Sequence, residues 1–544
     1  MSTPQLSQFP HHSRRPQARK STLLMVALIC GALGSGFAQT ATPAPTPVQA
    51  NASEPVAVAV SPASPALKAK LEAAQKLLNA KQYKKAQAAY QQAVALEYRS
   101  FDAHLGLGLA LFGQSDLLGA RFEFSQLVAL SPDRIEGYFN LGVAQAKAGD
   151  RTGAIASLNK AADVGRGKVL PAVQIGTLRS LAAQQIVGGT YADAAKSLKE
   201  ALDLEPQDAS LTLSLAETLY RSTKGTGDAT GTSATASTPA GDPTILSDAL
   251  AYAYKVQAQS PGSLKATGLI ADIYVDQKLV PRALTELDRG VKQNPNKLEK
   301  AKLLFKKAQI LQTVGRRQEA IGVLADSVKL DPSSGAAQYQ YGRLLLEAQQ
   351  TDRALSALKA AAQQNPKSAE VSLALAFAYD AKNNPAEAYR AAVATTKLTS
   401  DPTLIASANL LAGKAAYVSK QYGIAKRLLV GASSGESLTW LGLTNYALKD
   451  YAGAVTALEG ATKALPTNAV VQANLGASYL AAKRFSEAQS VLEGLVKRNP
   501  GYSEAWYNLG WALRNLDRAP EAQSAFKKAS NLGYAPARKE LGAK

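Results

Sequence analysis

The sequence predicts an all-α chain of about thirteen stacked helical hairpins, and three observations in its 544 residues carry that prediction. First, the segments beginning at Gly435, Ala469 and Ser503 align with one another at a spacing of 34 residues. Sliding the same frame toward the N-terminus places further starts at 67, 101, 135, 175, 209, 264, 301, 335, 369 and 406, most of them also 34 apart. Second, with each start counted as position 1, position 20 is alanine in every unit, from Ala86 and Ala120 to Ala488 and Ala522. Position 8 is always Gly or Ala, as at Gly108, Gly142, Gly342, Gly476 and Gly510. Third, position 32 is proline in eight units, among them Pro132, Pro206, Pro366 and Pro500.

This pattern is helical. Positions 4, 7, 8 and 11 fall on one face of a first helix, and positions 20, 24 and 27 on one face of a second. Small residues at 8 and 20 let the two helices approach closely, while Leu, Phe or Tyr at 7, 11 and 24 fill the space around them. Proline at 32 cannot continue a helix and ends the unit. A lone two-helix hairpin cannot bury its apolar face, so neighbours must stack. The length therefore signifies one quasi-linear body rather than several separate domains.

The last unit carries Trp506, Leu509, Gly510, Leu513, Ala522, Phe526 and Ala529. In this order and spacing they resemble the tetratricopeptide repeat (TPR) family. The resemblance extends over about residues 67–534, and it implies a right-handed TPR superhelix, or solenoid, of about 13 helix-turn-helix repeats. It also implies a concave groove lined by the first helices, used to hold protein partners. The irregular spacings, from 29 to 55 residues, are expected to be absorbed in loops.

The segments read in order as follows. Residues 1–38 have the form of a signal peptide. Arg14, Arg15, Arg19 and Lys20 precede an uncharged apolar run that ends on Gly36-Phe37-Ala38, so cleavage is expected after Ala38. The run is about the shortest that spans a bilayer, which makes an uncleaved anchor the alternative. Leu28 and Ile29 before Cys30 argue against a lipidated cysteine. Residues 39–66 hold six prolines and no basic residue, the composition of a semi-rigid linker. Repeats 1 to 5 occupy 67–220, ending with the first helix of repeat 5; a Gly/Ser/Thr-rich insertion covers 221–245. The second helix of repeat 5 and repeats 6 to 13 fill 246–534, and 535–544 form a basic C-terminal cap. The tenth unit, from Ala406, is short on its exit side. The expected location is outside the inner membrane, in the periplasm, the cell envelope or the medium.

Little catalytic chemistry is legible. Cleavage would remove the one cysteine and leave His104 as the one histidine. Zinc sites of ordinary composition and Cys–His or Ser–His nucleophile pairs are then excluded. His104 stands at position 4 of repeat 2, where a packed, hydrogen-bonded role is the ordinary reading. Carboxylate pairs such as Glu217 with Asp272 arise by chance among 42 acids. No phosphate-binding glycine loop is present, so no cofactor, metal or enzymatic activity is expected.

Recognition remains. Positions 2, 5, 9 and 12 of the first helices form a second stripe, which the resemblance places in the groove. Its candidate partner-binding residues are Phe112, Phe139, Phe305, Tyr339, Arg343, Phe377, Lys414, Tyr417, Tyr446, Tyr507, Trp511 and Arg514. Aromatic and Arg side chains are frequent hot spots, and such a stripe suits an extended peptide or an amphipathic helix. No unit has the Lys-Asn pair at positions 5 and 9 that clamps a C-terminal carboxylate in this family. The formal charge of +19 is uneven. Residues 291–317 hold eight basic residues and one acid, with Lys297, Lys300, Lys302, Lys306, Lys307, Arg316 and Arg317 as a basic patch. The expected function is a non-catalytic protein-binding scaffold or adaptor of the cell envelope. The alternatives are a self-associating structural component, or a binder of an anionic envelope polymer or surface through the 291–317 patch. Nucleic acid is not an expected partner, and no second apolar run is long enough to span a membrane.

Overall fold

A computed structural model describes residues 64–224 and 243–542. The expected signal peptide, most of the expected linker and the core of the expected insertion lie outside the described residues. Among the described residues there are 27 helices and no strand. They fall into two compact units, 64–310 and 311–542, whose boundary lies inside one helix.

The first unit opens with hairpins α1 (Pro65–Asn79)/α2 (Tyr83–Leu96), α3 (Phe101–Gly113)/α4 (Leu117–Leu130) and α5 (Ile135–Lys147)/α6 (Arg151–Gly165). It continues with α7 (Pro171–Val187)/α8 (Tyr191–Leu204), α9 (Ala209–Ser222)/α10 (Pro243–Gln259) and α11 (Leu264–Asp276)/α12 (Val280–Gln293). Helix α13 (Lys297–Thr313) contains the boundary. The second unit starts with α14 (Arg317–Leu330), then α15 (Gly335–Glu347)/α16 (Thr351–Gln364) and α17 (Ala369–Ala381)/α18 (Pro385–Leu398). It ends with α19 (Pro402–Val418)/α20 (Tyr422–Leu429), α21 (Gly435–Ala447)/α22 (Tyr451–Ala464), α23 (Ala469–Ala481)/α24 (Phe485–Arg498) and α25 (Ser503–Asn515)/α26 (Ala519–Asn531). The six-residue α27 (Ala535–Glu540) closes it.

The predicted seam is present in the hairpins within each unit. The position-20 alanines are buried throughout, from Ala86 to Ala522. Where position 8 is glycine, the side chain at position 24 of the same unit fills the space that a Cβ would take. A Cβ on Gly342 would lie 2.6 Å from Leu358, one on Gly476 2.6 Å from Leu492, and one on Gly510 2.6 Å from Phe526. Phe124 and Phe526, each about 1% exposed, are the largest of these plugs. Within each unit the second helix of one repeat packs on the first helix of the next, and successive first helices also touch, as α1 does α3 and α23 does α25.

The turn that joins the two helices has one further regularity. In twelve hairpins, position 15 takes a left-handed backbone. Glycine occupies it at Gly149, Gly189 and Gly315; elsewhere it is Lys81, Ser115, Lys278, Gln349, Asn383, Lys420, Lys449, Lys483 and Asp517, with φ between 55° and 64°. This reversal lets position 16 cap the second helix: Asp116, Asp150 and Asp450 accept from the backbone N–H of Gly119, Gly153 and Gly453 at 2.9–3.0 Å. Repeat 5 is the exception. Its equivalent residue, Thr223, keeps φ at −79° and caps the C-terminus of α9, with the insertion following.

The irregular spacings are handled differently from expectation. The extra residues before repeats 4, 7 and 10 extend the first helix rather than a loop, so α7, α13 and α19 each have 17 residues. Proline at the first turn of α7 and α19 presets the helical φ, and Asp401 caps α19 by accepting from the N–H of Thr403 at 2.7 Å. The shortness of repeat 10 falls on α20, which has only eight residues.

Candidate partner-binding face

The second stripe of the first helices is a ladder of charges that neighbouring repeats satisfy for one another. In the first unit, the Lys147 ammonium sits 4.4 Å from the centre of the Phe112 ring, joining α5 to α3. Arg179 pairs with Asp208. Tyr220 on α9 donates to Asp276 on α11 at 2.6 Å, and Lys224 pairs with the same carboxylate. Lys306 on α13 donates to Asp272 on α11 at 2.7 Å. Beside this group, burial pushes the Glu217 carboxyl above its ordinary range, against the pull of Lys265 and Arg221. Phe139 and Phe305 are half-buried.

In the second unit, Lys414 on α19 donates to Asp380 on α17 at 2.7 Å and lies 5.8 Å from the Trp440 ring. Tyr417 meets Trp440 edge-on at 5.3 Å. Burial raises the nearby Glu436 carboxyl, while Lys414 pulls it down. Tyr446 is half-buried and meets Tyr451 at 5.4 Å. At the C-terminal end, exposed Arg514 stacks 4.9 Å over Trp511 and pairs with Glu540 at 2.7 Å.

Not every stripe residue reaches the surface. Tyr339, Phe377 and Tyr507 are buried: Tyr339 packs among Leu355 and Leu358, Phe377 beside Leu373, and Tyr507 near Phe526. Arg343 is buried too, over the Tyr339 ring and 3.9 Å from Glu347.

The carboxylate partners Asp272 and Asp380 were not identified from the sequence, although a signal for them exists. Lys306–Asp272, Lys414–Asp380 and Arg166–Glu200 are each separated by 34 residues, one repeat period. Opposite charges one period apart stack directly when repeats stack.

The same pairing divides the 291–317 patch. Lys306 goes to Asp272, Lys307 to Asp288 at 2.5 Å, Arg316 to Glu319 at 2.6 Å and Arg317 to Glu347 at 3.5 Å. Lys297 and Lys302 are exposed and Lys300 half-buried.

His104 is buried between α3 and α4. Its Nδ1 lies 2.6 Å from Glu123 Oε2 and its Nε2 2.8 Å from the Tyr98 carbonyl. Both partners can accept, an arrangement that favours the ring with both nitrogens protonated. The bond to Glu123 leads in raising its pKa above the ordinary value, the Tyr98 carbonyl adds to this, and burial opposes it. Among the described residues no group of three or more His, Cys, Asp and Glu could hold a metal ion, and no helix is long and apolar enough to cross a membrane.

These features define a class: a helical-hairpin repeat protein whose polar side chains hold successive repeats together. Two family models, each described as "Tetratricopeptide repeat", match the chain. One covers residues 345–412 and 446–501, the other 71–135, 305–369 and 474–536. The matched segments thus carry tetratricopeptide repeats, a repeat type that generally serves in non-catalytic scaffolds that bind protein partners. No curated protein matches it. Among solved structures, the Cut9–Hcn1 hetero-tetramer of the APC/C shares 13% identity over 86% of this chain and 94% of that one, at a TM-score of 0.35. Naa15/Naa10 bound to HypK-THB shares 13% over 87% and 95%, at 0.34. YrrB, titled a TPR protein with an unusual peptide-binding site, shares 18% over 42% of this chain and 99% of that one, at 0.28.

Proposed function

We propose that this chain is an exported, non-catalytic scaffold of the cell envelope that holds a peptide or helix of a protein partner along its first helices. The observation that carries the reading is the ladder of inter-repeat ion pairs, Lys306–Asp272 and Lys414–Asp380. Such pairs fix the stripe in advance of binding, which lowers the ordering cost of recognition. On the same stripe of first helices stand incompletely buried Phe112 in the first unit and Tyr417, Tyr446 and Trp511 in the second, rigid aromatic anchors of the kind that dominate interface energetics.

Affinity capture from a native envelope fraction, with the full chain as bait, tests it. A specific partner should be retained at high salt and lost from Trp511→Ala or Phe112→Ala. Capture indifferent to both substitutions would remove the stripe from the function, and recovery of the chain alone would favour self-association. Export has its own check: N-terminal sequencing of envelope-derived protein should begin at Gln39, and retention of the full-length chain inside the inner membrane counts against it.

A further inference from the structure

The turn edge of the hairpins contains the same recess twice. In repeat 1 an open cavity of about 600 Å³ is lined by Lys81, Gln82, Tyr83, Lys84, Lys85 and Gln114. In repeat 10 one of about 580 Å³ is lined by Lys420, Gln421, Tyr422 and Arg427, with Leu448 as part of its wall. The two are equivalent by position. Each is built on a Lys-Gln-Tyr triplet at positions 15–17 of one repeat and closed by position 14 of the next, Gln114 or Leu448.

Two features set these recesses apart from ordinary solvated lysines. The leading lysine holds a left-handed backbone, with φ of 55° at Lys81 and 59° at Lys420. Glycine, Asn or Asp takes that conformation with less strain, and although the conformation recurs at this position in other repeats, here it directs the lysine side chain to the rim of a recess. In addition, neither lining contains a carboxylate, and among the described residues none of the five cations has one within ion-pair distance. The stripe of the first helices behaves oppositely, since most of its cations are neutralised by a neighbouring repeat. Exposed lysines at the same position of repeats 11 and 12, Lys449 and Lys483, continue the edge beyond the second recess.

We propose that these recesses are binding notches for a linear carboxylated polysaccharide. The ammonium groups of Lys81, Lys84 and Lys85, or of Lys420 with the Arg427 guanidinium, meet its carboxylates. The Gln82 and Gln421 amides bond its hydroxyls, and the half-buried Tyr83 and Tyr422 rings offer apolar area to a sugar face. Lysine predominates over arginine in the notches, which fits a flexible row of carboxylates better than the bidentate capture of phosphate. A bilayer is disfavoured because Tyr83, Tyr422 and Ile424 are half-buried, and Leu448 alone is an exposed apolar side chain among the two linings, too little for insertion. The proposal concerns a different edge from the stripe of first helices, so failure of either leaves the other standing.

Alginate oligosaccharides, titrated calorimetrically into the full chain at low salt, provide the test. Binding should weaken as salt is raised. K81Q/K84Q/K85Q should weaken it about tenfold, the equivalent of three exposed ion pairs of ordinary strength. K420Q/R427Q should lower the number of oligosaccharides bound, and K81R/K84R/K85R should restore the first notch. Equal loss from K160Q/K199Q/K397Q, three exposed lysines on second helices, would show that net charge alone is responsible and overturn the notches. So would absence of binding at low salt. Tighter binding of single-stranded oligothymidylate or of phosphatidylglycerol vesicles would overturn the choice of polysaccharide. Melting curves of the variants should match the unmodified chain, since every substituted side chain is exposed.

Discussion

The seam inside each hairpin and the turn that closes it are both set by backbone geometry, but they leave the side chain very different freedom. At the seam, position 24 of the second helix occupies the volume beside position 8, and in the glycine units even a Cβ would lie 2.5–2.7 Å from it. The residues there are small in all thirteen units, and the position-20 alanines are buried in all of them. At the turn, position 15 is held in a left-handed conformation in twelve hairpins, yet its side chain faces water. Glycine, lysine, serine, glutamine, asparagine and aspartate all occur there. Steric closure dictates one residue type, whereas conformational strain of about 1–2 kcal/mol merely discourages most of them. The turn is thus where the chain can vary its surface chemistry at little structural expense.

The largest test of this contrast is removal of a plug. Phe526→Ala should destabilise the last hairpin by about 3–5 kcal/mol, read as lost hydrogen-exchange protection in α25 and α26. The same change at Phe122, which is 59% exposed, should stay within about 0.5 kcal/mol. Equal effects at the two sites would break the contrast. Next comes Gly476→Val, whose Cβ would begin 2.6 Å from Leu492. Overpacking of this kind should cost about 1–3 kcal/mol, and a thermal melt that does not move would show that the seam has room.

A third effect depends on pH. His104 has a folded pKa above its unfolded value because of its bonds to Glu123 and the Tyr98 carbonyl. The stability it contributes is therefore complete below the unfolded value of about 6.5 and is lost as pH rises through the folded pKa. A charge-assisted bond of this type is worth about 1.5–3 kcal/mol. The melting temperature of the first repeats should fall on the alkaline side, and His104→Gln should be less stable at pH 6 and flatter with pH. A variant that keeps the full pH dependence would mean that other groups are responsible. The smallest effect belongs to the turn. Lys449→Gly relieves left-handed strain but loosens the unfolded chain, for a net gain below about 1 kcal/mol, whereas Gly149→Lys should lose about as much. Chemical denaturation of both variants would sharpen the estimate of what the turn tolerates.

The same distinction explains how much could be read from the sequence. The hairpins, their number and the seam were legible because closure forces a residue type at a fixed interval, and Ala86 to Ala522 display it without exception. The left-handed turn was not, because Lys81 or Gln349 gives no compositional hint of positive φ in the way that Gly149 does. The extra turns of α7, α13 and α19 were assigned to loops because a change in spacing does not indicate which element absorbs it. In the stripe, the aromatic pattern was visible but its division between surface and interior was not. Tyr339 and Trp511 are alike as stripe residues, yet the first is packed under its neighbours and the second is only half covered. The 291–317 patch was misleading in another way: charge was counted along the chain, while Asp272, Asp288 and Glu347 reach it across the stack.

Repeat 5 has a consequence of its own. Its two helices, α9 and α10, pack as closely as those of the other hairpins, although Thr223 has no left-handed turn and the chain between Lys224 and Pro243 is a long excursion. Lengthening such an excursion changes the closure entropy only logarithmically, by about 0.6 kcal/mol per doubling. The length of the covalent link is therefore nearly immaterial to this hairpin. A foreign domain could therefore be seated between residues 224 and 243 without disturbing the register of the repeats on either side.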